Sequence, residues 1–205
     1  PQQIKPFFPD LLGLSKKLSD FTIFYNGPRC GASAPDHFHF QAIARGNLPV
    51  EQEFELLGKK YSEILVQSKN LKIIAVENYL RKFVAIISSD KKIMESAFEQ
   101  LYQALDLKDG EEEPMINVLC NFTGNEWRVI IFPRAKQRPS CFFREGDDKI
   151  VVGAATVEMG GIVVLPRKED FNKITSDDIA KIYEDVIISS EKFRNLINRI
   201  KSDNV

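Results

Sequence analysis

Gly31-Ala32-Ser33-Ala34-Pro35-Asp36-His37-Phe38-His39-Phe40-Gln41 holds both histidines of the 205-residue chain, His37 and His39. A loop of small residues runs into alternating polar and aromatic positions. That alternation predicts a strand over 37–44, with His37, His39 and Gln41 on one face and Phe38, Phe40 and Ala42 on the other. Three readings fit. The ordinary one for an isolated His-x-His pair is an amphipathic strand with its polar face in water. A shared metal would need a third ligand, and no other histidine exists to supply it. The third is covalent catalysis. An imidazole attacks phosphorus through an unprotonated nitrogen while its other nitrogen is fixed by an acceptor. The amides of Gly31-Ala32-Ser33 would form an anion nest, and Gln41 would offer an amide donor on the same face.

Outward from this stretch the elements follow from periodicity. Pro6 to Leu18 carries Phe7, Phe8, Leu11, Leu12, Leu14 and Leu18 at helical spacing, with Pro9 suited to a first turn. Phe21 to Tyr25 reads as a strand, and 51–68 as a helix weakened by Gly58. Strands are expected at 71–77 and 82–88, then a helix capped by Ser89 or Asp90 and running to about Leu105. Met115 to Phe122 and Trp127 to Pro133 flank Thr-Gly-Asn-Glu, a hairpin signal. Strands are expected at 149–158 and 161–165, broken at Gly160-Gly161, and helices from about Ser176 to Lys201 with a break near Ser189-Ser190. The helix and strands around Phe21 are faintly repeated by the helix and hairpin around Met115. Hairpins without regular strand-helix-strand alternation predict an α+β fold.

Composition bounds the function. The chain is 43% hydrophobic with 15 Phe, so it can build a core. A net charge of −1 gives no reason for broad binding to nucleic acid or acidic membranes. No run approaches the roughly 18 apolar residues of a membrane span. Cys30, Cys120 and Cys141 are odd in number and widely spaced, which argues against a disulfide framework and for a reducing, cytoplasmic setting. There is no Cys-x-x-Cys, and no metal or cofactor is expected. The chain opens Pro1-Gln2-Gln3, without Met or a leader pattern, as expected of a trimmed piece of something longer.

His37-Phe-His39-Phe-Gln41, preceded by Asn26-Gly27-Pro28 and Gly31-Ala32-Ser33, resembles the galactose-1-phosphate uridylyltransferase branch of the histidine-triad superfamily. Within that branch it is similar to dinucleoside tetraphosphate phosphorylases and GDP-L-galactose phosphorylases. A second stretch, Glu158-Met-Gly-Gly-Ile-Val-Val-Leu-Pro-Arg-Lys-Glu-Asp170, resembles the end of the GDP-sugar phosphorylases.

The resemblance implies a histidine-triad-like fold of two related halves. Residues 1–80 would be the remainder of the catalytic half, and 81–205 a degenerate half with C-terminal helices. It implies a nucleotidyltransferase or phosphorylase. A nucleoside monophosphate would pass from a dinucleoside polyphosphate or nucleotide sugar through His39 to phosphate or a sugar phosphate. His37 would support the site and Gln41 would bond the phosphoryl group. Asn26, Gly31, Ala32, Ser33, Arg167 and Lys168 would bind substrate phosphates. A hydrolase of the same superfamily and a non-catalytic nucleotide-binding module are the alternatives; Gln41 in place of a third histidine favours the transferase. Asp36, between Pro35 and His37, departs from the tetraphosphate phosphorylases and leaves substrate choice open. The resemblance also implies that an upstream segment or a second subunit completes the catalytic half.

Other groups have plainer readings. Arg134, Lys136 and Arg138 would clamp a phosphate or form a solvated loop. Trp127 would stack on a base or fill the core. Glu111 to Glu113 read as a solvated loop, Cys30 as a packing residue, and the basic tail helices as solvent-facing.

Overall fold

In the computed structural model, which describes residues 2–32 and 34–202, seven antiparallel strands form one sheet in the order β2-β1-β6-β7-β5-β4-β3. The strands are β1 (Phe21–Asn26), β2 (Gln41–Ala44), β3 (Ser62–Gln67), β4 (Lys72–Val76), β5 (Phe83–Ser88), β6 (Ile116–Thr123) and β7 (Glu126–Pro133). The helices are α1 (Phe8–Lys17), α2 (Pro49–Lys60), α3 (Lys91–Ala104), α4 (Thr156–Gly160), α5 (Lys168–Lys173), α6 (Ser176–Val186) and α7 (Ser190–Ser202). The fold is α+β, as expected.

Both faces of the sheet are covered, so its central strands are apolar at nearly every position. Ile23, Tyr25, Val118, Val129 and Ile86 pack under α1, α3 and α7. Phe24, Leu119, Ile130, Phe132 and Ala85 pack on the other side, with residues of α2, α4 and α6. The expected repeat has a counterpart here. Helix α1 leads into β1 and β2, α3 leads into β6 and β7, both helices lie on one face, and β1 pairs with β6. A single sheet thus carries strands from both 1–80 and 81–205.

Local signals that use neighbouring residues are realised. Gly124 and Asn125, at φ 59° and 68°, form the tight turn between β6 and β7, where both central positions need positive φ. Asp90 accepts hydrogen bonds from Lys92 N and Ile93 N and so caps α3.

Three expectations need correction. The strand predicted over 37–44 exists only from Gln41, which pairs with Phe24. The amide of His39 goes instead to the Gln2 side chain. The helix predicted over 51–68 ends at Lys60, and Ser62–Gln67 pairs with β4. Ile64, Leu65 and Val66 suit that pairing better than a helix extended beyond Gly58. No strand forms among residues 149–165, and Thr156–Gly160 is helical. There the backbone donors are taken by side chains: Val151 N by Asp170, Ala155 N by Glu158 and Thr156 N by Asn26. No helix among the described residues is long and apolar enough to cross a membrane.

Candidate active site

The end of β1 and the loop after it form the base of the site. Gly27 N donates to Ile116 O, and Cys30 N closes a turn on Gly27 O. Gly31 follows at φ +90°, and a Cβ there would lie 2.5 Å from the Ala155 Cβ. Only glycine suits both the conformation and the closeness. Cys30 is fully buried, and burial pushes its thiol up to about 12, so it is a packing group. Ser33 lies outside the described residues, and Ala32 is half-buried beside Gly31.

His37 is exposed and His39 half-buried, with their rings 5.4 Å apart. Phe38 and Phe40 turn the other way and pack against the core, with Phe38 stacked on Phe7 at 4.0 Å. The alternation survives without a strand ladder. His37 Nδ1 pairs with Asp36 at 3.2 Å, a contact that holds the Asp36 carboxyl below its ordinary value. His39 Nδ1 lies 3.3 Å from the His37 carbonyl. A carbonyl only accepts, so in the neutral ring this bond puts the proton on Nδ1 and leaves the lone pair on Nε2.

Asn26 is buried, and both ends of its side chain are used. Its Oδ1 accepts from Thr156 N at 2.7 Å, from Thr156 Oγ1 and from Asn117 Nδ2. Its Nδ2 donates to Gln41 Oε1 at 2.9 Å. The Thr156 backbone N–H can only donate, so it fixes which end of Asn26 is oxygen and, through it, which end of Gln41 is oxygen. The Gln41 NH2 therefore faces away from Asn26, without a protein partner among the described residues. Asn26, expected at the phosphate, thus has both ends of its side chain bonded to protein groups.

Asn117 donates to Asn26, to the Cys30 carbonyl and to Thr156. Arg134 lies below, 3% exposed. Its guanidinium donates to the carbonyls of Val186, Ala154 and Lys136 and to Asn117 Oδ1. It forms no ion pair among the described residues, and burial draws its pKa down. Ala154 itself adopts φ 53°, uncommon for a residue with a side chain, at the turn that sets Ala155 on Gly31. Arg134 was expected at the surface as a phosphate clamp or loop residue; it is instead a buried brace for the site.

The first resembling stretch therefore meets the residues just ahead of the second, Gly31 against Ala155 and Asn26 on Thr156. Arg167 and Lys168 are placed differently. Arg167 Nε and Nη2 each lie 2.7 Å from the buried Asp170 carboxylate, which this pairing holds well below its usual range. Lys168 is exposed, and neither residue bonds to the histidine segment among the described residues.

Trp127 is core, with its Nε1 donating to the Leu12 carbonyl. Glu113, expected in a solvated loop, is 3% exposed and accepts from Tyr25 Oη and Ile4 N. A cavity of about 590 Å³ opens elsewhere, between Ser140-Cys141, Arg144 and α6, and none of the expected site residues lines it.

Sequence reasoning missed Asn117, Thr156 and Gln2. A buried asparagine in the otherwise apolar run Ile116-Asn117-Val118-Leu119 was a signal for the first. Thr156 sits just ahead of the Glu158 stretch, and Gln2 had no signal of its own.

The family described as "GDPGP1-like, C-terminal domain" matches residues 57–204. The chain belongs to that family. Residues 1–44 match a second family, described as a domain of unknown function (DUF4922), so the histidine segment falls in one match and the α4 stretch in the other. No curated protein matches the chain. Among solved structures it is similar to a DUF4931 family protein from Bacillus cereus, at 16% identity and a TM-score of 0.44. The chain covers 63% of that structure, and 63% of the chain is covered in turn.

Proposed function

We propose that the chain carries the nucleotidyl-transfer site of a phosphorylase in the histidine-triad superfamily, acting on a GDP-sugar or a related nucleotide donor. The observation that carries this reading is the His39 Nδ1 contact with the His37 carbonyl, which in the neutral ring leaves the Nε2 lone pair for attack. The family match supports it, as does the packing of Gly31 and Asn26 on Ala155 and Thr156, just ahead of the second resembling stretch.

In the first step His39 Nε2 attacks the α-phosphorus of the donor. A P–N bond forms, the P–O bond to the leaving sugar phosphate breaks, and that oxygen keeps the electron pair. In the second, an oxygen of inorganic phosphate or a sugar phosphate attacks the same phosphorus, the P–N bond breaks and the imidazole is restored. Gln41 Nε2 and the amides at Gly31 and Ala32 stabilise charge on the phosphoryl oxygens. The buried Arg134 adds a positive charge to the elements that carry these donors. In this reading residues 1–80 belong to the catalytic half and 81–205 to the degenerate one.

Chromatography tests the reaction. Incubation with a GDP-hexose and phosphate should yield GDP and hexose 1-phosphate, and His39→Ala should yield neither. Release of GMP without a phosphate requirement would point to hydrolysis instead.

A further inference from the structure

We infer that Gln2 is a positioning residue for the nucleophile, an inference that rests on the reaction proposed above. Gln2 is 2% exposed, and its amide bridges two parts of the site. Its Nε2 donates to the Asn26 carbonyl at 3.0 Å, and its Oε1 accepts from His39 N at 3.1 Å. The His39 amide has no strand neighbour to take it, because β2 begins at Gln41. Gln2 does the work of a missing β partner with one side chain.

Gln2 is itself held from behind. Ile4 is fully buried and its N–H donates to Glu113 Oε2 at 2.9 Å, while Gln3 Nε2 donates to Glu112 at 2.6 Å. The segment 2–4 is therefore tied to the loop before β6 on one side and to His39 on the other. The His39 ring is oriented by the carbonyl of His37, so its direction depends on the backbone from 37 to 39. Gln2 fixes that backbone at the residue bearing the nucleophile. Glutamine suits the place because an amide offers one donor and one acceptor at its tip. Methionine, of similar length, offers neither, and glutamate keeps only the acceptor.

The test uses the full-length protein, a GDP-hexose labelled in its α-phosphate, and three readouts: single-turnover labelling of His39, GDP affinity by calorimetry, and the thermal midpoint. Misplacing a nucleophile by about 1 Å costs on the order of 100-fold. Gln2→Met should therefore slow labelling by about 10- to 100-fold, while the midpoint falls only modestly with the two lost bonds and GDP affinity stays within about two-fold at an assay temperature below it. Gln2→Glu, which still receives the His39 N–H, should recover part of the rate. Wild-type labelling in Gln2→Met would overturn the inference alone, as would a loss of affinity and midpoint parallel to the rate, which marks a structural role. Absence of label in the wild-type protein would overturn the proposed reaction and this inference with it.

Discussion

The Asn26 amide donates to Gln41 Oε1 at 2.9 Å, and that bond decides which end of Gln41 faces outward. Asn26→Asp keeps the acceptor for Thr156 N but cannot donate to Gln41. Gln41 would then turn to give its NH2 to the new carboxylate and present its carbonyl to the phosphate. Turnover should fall by about 100-fold, as for Gln41→Ala, since each removes one donor from the reacting oxygens. The double variant should be no worse than either single one, because both act through the same amide. Additive losses in a double-mutant cycle would show that Asn26 acts independently of Gln41.

Gly31→Ala tests the contact between the histidine loop and the turn before α4. The new Cβ would lie 2.5 Å from the Ala155 Cβ and 2.7 Å from its Cα, at a φ of +90°. The clash and the left-handed backbone together should cost about 2–4 kcal/mol, read as a lower urea midpoint with an unchanged slope. A loss under about 0.5 kcal/mol would mean that the loop moves freely away from α4.

Arg134→Lys tests the brace. The guanidinium reaches four acceptors on separate segments, and a single ammonium cannot. Stranded carbonyls should cost about 2–4 kcal/mol, and the Thr156 amide should lose hydrogen-exchange protection as the turn at Ala154 loosens. Full protection in the variant would assign the turn to other contacts.

Glu113 gives stability a pH dependence. Burial raises its carboxyl from 4.5 to about 7, against the opposing hydrogen bonds from Tyr25 and Ile4. Between those values the folded chain keeps the proton that the unfolded chain has lost, so stability falls as pH rises from about 4.5 through about 7. At about 1.4 kcal/mol per unit the loss is at most about 3 kcal/mol. Urea unfolding from about pH 5 to about pH 8 should show this fall in the wild type and a flatter profile in Glu113→Gln. Parallel profiles would remove Glu113 as the source.

What could be read from the sequence depended on where each backbone group finds its partner. The β6–β7 turn and the Asp90 cap were legible because their partners lie within a few residues. The segment 37–40 and the stretch 149–165 were misread as strands because side chains distant in sequence, Gln2, Asp170 and Asn26, take the hydrogen bonds a ladder would have taken. At the site, the histidine loop stood out from residue type alone. The inward turn of Asn26 depends on Thr156, whose backbone N–H reaches it only in the fold. Arg167 was readable: Asp170, three residues on at the start of a helix, is the partner that takes its donors.

The most direct test is to trap the intermediate. Protein incubated with a GDP-hexose labelled in its α-phosphate, without an acceptor, is quenched in base, where a phosphorus–nitrogen bond survives, and digested. The account predicts label on the peptide bearing His39, discharged as labelled GDP when phosphate is added before the quench. An unlabelled His39 peptide, with turnover unchanged in His39→Ala, would contradict it.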